Sequence, residues 1–208
     1  MKNLTCFCET EFEADINDVY DLALSKHLEK EILEGSFLSF TCPACGKVLK
    51  PELPVRILNT EKSLDVYVLP ETERDAYLAG KDIDLPGESK EIPSQYGIVI
   101  GYAELAEKIK IIDAGFSPAV VEIIKYFYLK KIKSGSEVII FFDHEKDDSL
   151  FFHIHGLKPD EIGVAAIPRS FYLKVEDDLS KPAADEDYRQ IIEPPYISVR
   201  KFIIEEED

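Results

Sequence analysis

Four cysteines, grouped as two close pairs near the N-terminus, are the feature that most constrains how this chain folds. They are the only cysteines among 208 residues, and they occur as Cys6-Phe7-Cys8 and Cys42-Pro43-Ala44-Cys45-Gly46. The two pairs are separated by 33 residues. Ligand type, ligand count and spacing are those of a zinc ribbon, in which four thiolates surround one Zn²⁺ ion tetrahedrally.

The second pair has the more regular sequence. Pro43 sets φ at the first position of a turn, which directs the sulfur atoms of Cys42 and Cys45 to one side. Gly46 can adopt the positive φ that closes this turn. We therefore expect backbone N–H groups that follow Cys42 to point at its thiolate.

The first pair is less regular. On an extended strand, Cys6 and Cys8 project from one face, and they can chelate one ion only if the chain turns at Phe7. A degenerate ribbon without metal and a redox or disulfide pair are the alternatives to zinc. Disulfides are uncommon in the reducing cytosol. The favoured interpretation is one structural zinc ion, with the ligands Cys6, Cys8, Cys42 and Cys45.

The charge of the chain argues against nucleic acid as a direct partner. Lysine and arginine number 24 against 41 aspartates and glutamates, which gives a formal net charge of −17. Proteins that neutralise phosphates are usually basic. The one net-positive segment is 96–133, and we interpret its lysines as a solvated helix face. The lysines on which this interpretation rests are Lys125, Lys130, Lys131 and Lys133.

The apolar runs are much shorter than the roughly 18 residues that a membrane span needs. The first residues lack the apolar segment of a signal peptide. We therefore expect a cytoplasmic protein that binds neither membrane nor nucleic acid and whose partner is another protein.

Periodicity and turn residues predict an α+β fold in four parts. Residues 1–70 form a zinc-ribbon-like β module with a short helix, and 71–95 form a linker that includes a second short helix. Residues 96–133 form a helical hairpin, and 134–208 form an acidic, β-rich part.

Within these parts, individual elements follow from caps and alternation. Ser25 is expected to cap the first short helix and Gly35 to follow its end. Alternating apolar residues within 52–70 predict a β-hairpin. Gly80 is expected to end the second short helix, and Gly115 is expected to separate the two longer helices.

Four strands are predicted in the last part of the chain. The first two are Glu137 to Phe142 and Leu150 to His155, joined by a turn from Asp143 to Ser149. Alternating apolar residues predict a third strand at Phe171 to Val175 and a fourth at Tyr196 to Ile204.

Several segments occur together in a pattern that is known from one family. Glu31-Ile32-Leu33-Glu34-Gly35 is followed by an apolar strand that leads into the Cys42–Gly46 turn, and Gly101 to Ile109 reads GYAELAEKI. With these segments the chain resembles the CpXC family of bacteria and archaea, whose later pattern is similar to GYxELxEKI. Cys6-Phe7-Cys8 departs from the usual C-P-x-C by lacking one residue and the proline. The resemblance implies a zinc-ribbon-like module and no particular activity.

Three histidines mark a second candidate site. His153 and His155 share one face of a predicted strand, and His144 lies in the facing turn, where the aspartates between 143 and 148 offer a further ligand. Such a set can bind catalytic zinc or iron, although histidines paired with carboxylates on a surface are the simpler explanation. The sequence contains no glycine-rich phosphate loop and no nucleophile motif. We predict a non-enzymatic, zinc-binding interaction module; the alternative is a metal-dependent enzyme with its site at these histidines.

Overall fold

The computed structural model describes most of the chain, and the described residues form two compact units. The units are Met1–Ala106 and Glu107–Asp208, referred to below as the N-terminal and C-terminal units. Helices and sheets occur together, so the predicted α+β class is confirmed. The described residues are 1–83, 85, 97–132, 138–181 and 186–201.

The N-terminal unit is rich in short strands. Its elements are β1 (Lys2–Thr5), β2 (Glu11–Ala14), β3 (Val19–Asp21), α1 (Lys26–Leu33), β4 (Phe40–Thr41), β5 (Val48–Leu49), β6 (Val55–Asn59), β7 (Leu64–Leu69), a 3₁₀ turn (Glu71–Glu73), α2 (Arg74–Leu78), β8 (Gly97–Ile100) and the start of α3 (Tyr102–Asp113). Strands β1 and β2 form one antiparallel hairpin, and β4 and β5 form another. These hairpins carry the two cysteine pairs.

A four-stranded sheet forms the core of the N-terminal unit, in the order β3-β6-β7-β8. Strands β6 and β7 are antiparallel and confirm the predicted hairpin. Strands β3 and β8 flank it in parallel. The sequence analysis missed β8 because it is a short apolar run of four residues without alternation, and such a run does not distinguish strand from helix.

The two short helices occur at the predicted positions, but the Ser25 side chain makes no capping hydrogen bond. Helix α1 begins after Ser25, and Gly35, with φ +67°, follows its end. The second helical segment ends before Gly80, with φ +70°. Of the linker predicted to follow it, residue 84 and residues 86–95 lie outside the described residues.

A buried arginine organises the corner between β8 and α3. Arg74 donates to both carboxylate oxygens of Glu71 at 2.6 and 2.8 Å, to Oε1 of Glu104 at 2.8 Å and to the carbonyl of Ile100 at 3.1 Å. Gly101 turns this corner with φ +81°, and a Cβ atom there would lie 3.0 Å from Oε2 of Glu71. The corner therefore requires the glycine and the glutamate of the GYxEL segment.

The C-terminal unit begins within α3 and contains a three-stranded sheet with helices. Its further elements are α4 (Pro118–Ile132), β9 (Ile139–Lys146), β10 (Ser149–Lys158), β11 (Glu161–Pro168), α5 (Arg169–Leu179), α6 (Glu186–Ile192) and a 3₁₀ turn (Val199–Lys201). The strands form an antiparallel meander in the order β11-β10-β9. Buried residues of β9 and β10 pack with buried residues of α4. Gly115, with φ +73°, lies between α3 and α4, as predicted.

Two strand predictions in this unit are wrong. Residues 171–175 belong to α5, in which Tyr172 and Val175 are buried at the helical spacing of three. The third strand is β11 instead, whose small residues Gly163 and Ala165 weaken the apolar alternation on which the prediction relied. In the fourth predicted strand, 196–201 contain only an isolated bridge and a 3₁₀ turn, while 202–204 lie outside the described residues.

The predicted seven-residue turn between the first two strands is also too long. Strands β9 and β10 continue to a two-residue turn at Asp147 and Asp148, which have φ +50° and +59°. Aspartate tolerates the left-handed region better than most residues, and such turns match the twist of a hairpin. The boundaries at 70, 95 and 133 between separately folding parts stay predictions.

Lys125 does not lie on a solvated helix face, which corrects the interpretation of the basic segment. It is 4 % exposed, and its Nζ donates to Oε2 of Glu107 at 2.7 Å and to Oε1 of Glu122 at 2.6 Å. The remaining oxygens accept the N–H of Phe142 at 2.5 Å and of Val199 at 2.7 Å. We call Glu107, Lys125 and Glu122 the buried ion triad. Lys133 lies outside the described residues.

The buried ion triad holds two carboxylates against one ammonium group. Desolvation raises the pKa of Glu107 to about 7, although Lys125 opposes this shift. Desolvation alone would lower the pKa of Lys125, but the two carboxylates raise it above its ordinary value. Lys125 is therefore the charged member on which the two glutamates depend.

Replacing this lysine should destabilise the protein strongly. Lys125→Met leaves two buried carboxylates without a cation, so the free energy of unfolding should fall by about 3–5 kcal/mol at neutral pH. The unpaired carboxylates bind protons in the folded state at a pH where the unfolded chain has released them. The loss should therefore shrink as the pH falls from about 7 to about 5. Urea unfolding of the full chain at both pH values measures this.

The matched control is an exposed lysine on the same helix. Lys130 pairs with Asp187 at 3.3 Å, and Lys130→Met should cost less than about 1 kcal/mol at either pH. Equal losses for the two variants would contradict the role assigned to the buried ion triad.

Candidate metal centre

The first cysteine pair lies in the turn of the β1–β2 hairpin, which we call knuckle 1. The N–H of Cys6 donates to the carbonyl of Thr10 at 2.9 Å, and the N–H of Glu9 donates back to the carbonyl of Cys6 at 2.8 Å. Glu9 has φ +66°. The chain therefore turns at Phe7, which is the condition under which the sequence allows Cys6 and Cys8 to face one ion.

The second pair lies in the turn of the β4–β5 hairpin, which we call knuckle 2. The N–H of Cys42 donates to the carbonyl of Lys47 at 2.8 Å, and the N–H of Gly46 donates to the carbonyl of Cys42 at 3.0 Å. Gly46 has φ +72°, as predicted. In both knuckles the residue after the second cysteine takes positive φ, so knuckle 1 is the same turn shortened by one residue.

The two knuckles bring all four cysteines together. Their Sγ atoms lie within 4.8 Å of one another. Two of these separations join the knuckles, with 3.6 Å between Cys6 and Cys45 and 3.7 Å between Cys8 and Cys42. Zn–S bonds of about 2.3 Å in a tetrahedron place neighbouring sulfurs about 3.8 Å apart. The spacing of the thiols therefore fits a single tetrahedral ion.

Backbone amides favour the thiolate form of the Cys42 side chain. The N–H of Cys45, followed by that of Ala44, lowers the pKa of Cys42 and outweighs the opposite effect of burial. This confirms the expected aim of the turn amides at that sulfur. An ionised sulfur that accepts N–H groups is a better ligand for a cation.

In knuckle 1 the two thiols differ. Sγ of Cys8 lies 3.3 Å from Oγ1 of Thr10, and the hydroxyl and the backbone N–H of Thr10 lower the pKa of Cys8 to about 6. The N–H of Cys8 likewise lowers the pKa of Cys6. Desolvation and the neighbouring thiols together outweigh it and raise the pKa of Cys6 to about 12. Thr10 therefore favours the thiolate form of Cys8, and this form is the one that binds a cation. The sequence analysis missed Thr10, because its side chain comes near Cys8 only through the turn of knuckle 1.

At the predicted histidine site, two of the three histidines lie beside one carboxylate, that of Asp143. Nδ1 of His144 lies 2.7 Å from Oδ2 of Asp143, and Nε2 of His153 lies 3.6 Å from the same oxygen. Lys110 donates to Oδ1 of Asp143 at 2.8 Å. Although burial raises it, Lys110 and His144 hold the pKa of Asp143 below its usual value. A carboxylate shared among basic side chains is an ion-pair cluster.

The third histidine packs elsewhere on the sheet. The ring of His155 contacts Phe141 edge to face, with centroids 5.9 Å apart. Among the described residues, the four cysteines form the one group of at least three potential ligands close enough to hold a metal. The structure thus does not assemble His144, His153 and His155 into a ligand cage, and the enzyme alternative stays a prediction.

The region that contains both knuckles is similar to a known protein family. The CpXC protein family matches the chain over residues 4–125, which is more than half of its length. The chain belongs to the CpXC family. The matched region contains both knuckles and the GYxEL corner, so the resemblance seen in the sequence is confirmed.

This CpXC protein is also similar to a curated relative. That relative is an uncharacterised protein of Treponema pallidum (strain Nichols), 28% identical over 198 residues, a match that covers 88% of this chain and 90% of the relative. No solved structure matches the chain. In the part of the chain that the structure describes, no helix is long and apolar enough to cross a membrane.

Removing one thiol should release the metal. In Cys42→Ser the hydroxyl does not ionise near neutral pH and is a poor ligand, so elemental analysis of the purified full chain should find well under one zinc per chain. Thr10→Ala is the control, since it removes a neighbour of Cys8 but no ligand, and it should keep a full equivalent. A full equivalent in Cys42→Ser would contradict the four-thiol site.

Proposed function

We propose that this CpXC protein binds one structural zinc ion through Cys6, Cys8, Cys42 and Cys45. The observation that carries the proposal is the convergence of four sulfur atoms within 4.8 Å. Thiolate ligands suit zinc, copper(I) and iron–sulfur clusters, and a closed tetrahedral set of four is typical of structural zinc. Four protein ligands leave no position for a substrate or an activated water, so the ion supports the fold and takes no part in a reaction.

The size of the zinc contribution supports this structural role. Strands β4 and β5 have two residues each, and isolated two-stranded hairpins are at best marginally stable in water. A structural zinc site contributes about 10–16 kcal/mol of apparent binding free energy at neutral pH, whereas whole domains are stable by about 5–15 kcal/mol. The ion therefore outweighs the weak intrinsic stability of the two knuckles. Free thiols persist in reducing compartments, and we place the protein in the cytoplasm.

The knuckles also present an apolar side chain to solvent. Phe7, between the two cysteines of knuckle 1, is 88 % exposed, and Val48 in β5, just after knuckle 2, is 57 % exposed. Aromatic residues are common anchors of protein interfaces, and a backbone that is already held in place loses less conformational entropy on binding. We infer a non-enzymatic role in which zinc holds Phe7 ready to enter a pocket on a protein partner. The net charge of −17 disfavours nucleic acid as that partner.

Truncation of this anchor should abolish partner binding while the metal stays bound. Phe7→Ala should keep one zinc per chain and lose the proteins that co-purify with the zinc-loaded chain from cells of its source organism. Truncating a core aromatic anchor typically weakens binding by about 2 kcal/mol or more.

Leu24→Ala is the matched control, because Leu24 is 84 % exposed but lies outside the knuckles. That variant should retain the same partners as the natural chain. If Phe7→Ala and Leu24→Ala capture partners equally well, the knuckle is not the interaction surface.

A further inference from the structure

A pocket in the C-terminal unit has neither a cysteine nor a histidine among its described lining residues. It lies between α4, the end of β11 and α5, and its volume is about 300 Å³. That is near the lower end of the range for small-molecule sites. Most of its wall is apolar, and the main contributors are Ile124, Phe127, Tyr128, Ala166, Ile167 and Phe171.

The walls of this pocket are held in place by contacts within the unit. The rings of Phe127 and Phe171 pack edge to face with centroids 5.8 Å apart. The ring of Tyr128 packs against Phe152 at 6.0 Å, and its hydroxyl donates to the carbonyl of Ala166 at 3.4 Å. A ligand therefore meets a preformed surface and does not have to order it.

One cationic side chain, that of Lys131, lines this pocket. Lys131 lies three residues after Tyr128 and four after Phe127, on the same face of α4. Among the described residues of the lining it is the one charged side chain, and none of them is a carboxylate. Its neighbour Lys130 pairs with Asp187, whereas Lys131 is exposed and forms no ion pair with any residue that the structure describes. In a chain of net charge −17, a lysine beside an apolar pocket that pairs with no acidic residue of the described part is complementary to a ligand anion.

We propose that this pocket binds a small amphipathic carboxylate, whose apolar body lies against Phe127, Tyr128 and Phe171 and whose carboxylate pairs with Lys131. The aromatic walls select an apolar chain or ring, and the volume limits its size. The lysine distinguishes the acid from a neutral molecule of the same shape. The pocket contains none of the cysteines, so its occupancy does not depend on the zinc proposal.

The test compares an acid with the matched alcohol. Decanoate, kept below its micelle concentration, and decanol are titrated into the ¹⁵N-labelled, zinc-loaded full chain and followed by amide chemical shifts. Decanoate should cause saturable shifts at the pocket residues and bind more tightly than decanol. Lys131→Met should weaken decanoate binding about fivefold, as for one partly exposed ion pair, and leave decanol unchanged.

Two further variants make the result decisive. Lys174→Met removes an exposed lysine of α5 that does not line the pocket, and it should bind decanoate as the natural chain does. Phe171→Ala removes one aromatic wall of the pocket, and it should weaken binding of both probes while the spectrum stays dispersed. Absence of saturable shifts in the natural chain, shifts centred elsewhere, or equal decanoate affinity in Lys131→Met would each overturn the proposal.

Discussion

The meeting of four thiols is the interaction on which the N-terminal region depends. The two cysteine pairs are 33 residues apart in the chain, and each lies on a short hairpin that has no extended hydrophobic face of its own. Between the knuckles, the sulfurs of Cys6 and Cys45 lie 3.6 Å apart and those of Cys8 and Cys42 lie 3.7 Å apart. The two turns share their geometry: in each, a residue of positive φ follows the second cysteine, and backbone amides point back at sulfur. In the proposed site, a single cation would join the two hairpins by replacing the thiol protons.

The C-terminal unit contains no cysteine and rests on apolar packing together with the buried ion triad. Each carboxylate oxygen of Glu107 and Glu122 has a hydrogen-bond donor, either Lys125 or a backbone N–H. A buried charge is tolerated when it is paired and hydrogen-bonded in this way. Both units thus contain a buried sheet, and in the proposal the N-terminal unit adds coordination of an ion, whereas the C-terminal unit relies on the buried ion triad.

Features that depend on residues close together in the chain could be predicted from the sequence, and most features that depend on distant residues could not. The turn at Cys42, the end of α1 at Gly35 and the β6–β7 hairpin were predictable because proline, glycine and strict alternation act within a few residues. The helix at 171–175 was not, because alternating apolar residues also fit a helix when tertiary contacts bury Tyr172 and Val175. Nor was the burial of Lys125, since its partner Glu107 is 18 residues away. The convergence of the cysteine pairs was predicted from ligand spacing, and the shared turn geometry required coordinates.

X-ray absorption at the zinc edge of the full chain, purified with its metal, tests the central claim most directly. The account predicts one zinc per chain, with a first shell of four sulfur atoms at about 2.3 Å and no lighter ligand. Nitrogen or oxygen in that shell would mean that at least one of the four cysteines does not bind the ion. Either that result or the absence of zinc would contradict the proposal that the two knuckles are joined by one tetrahedral thiolate site.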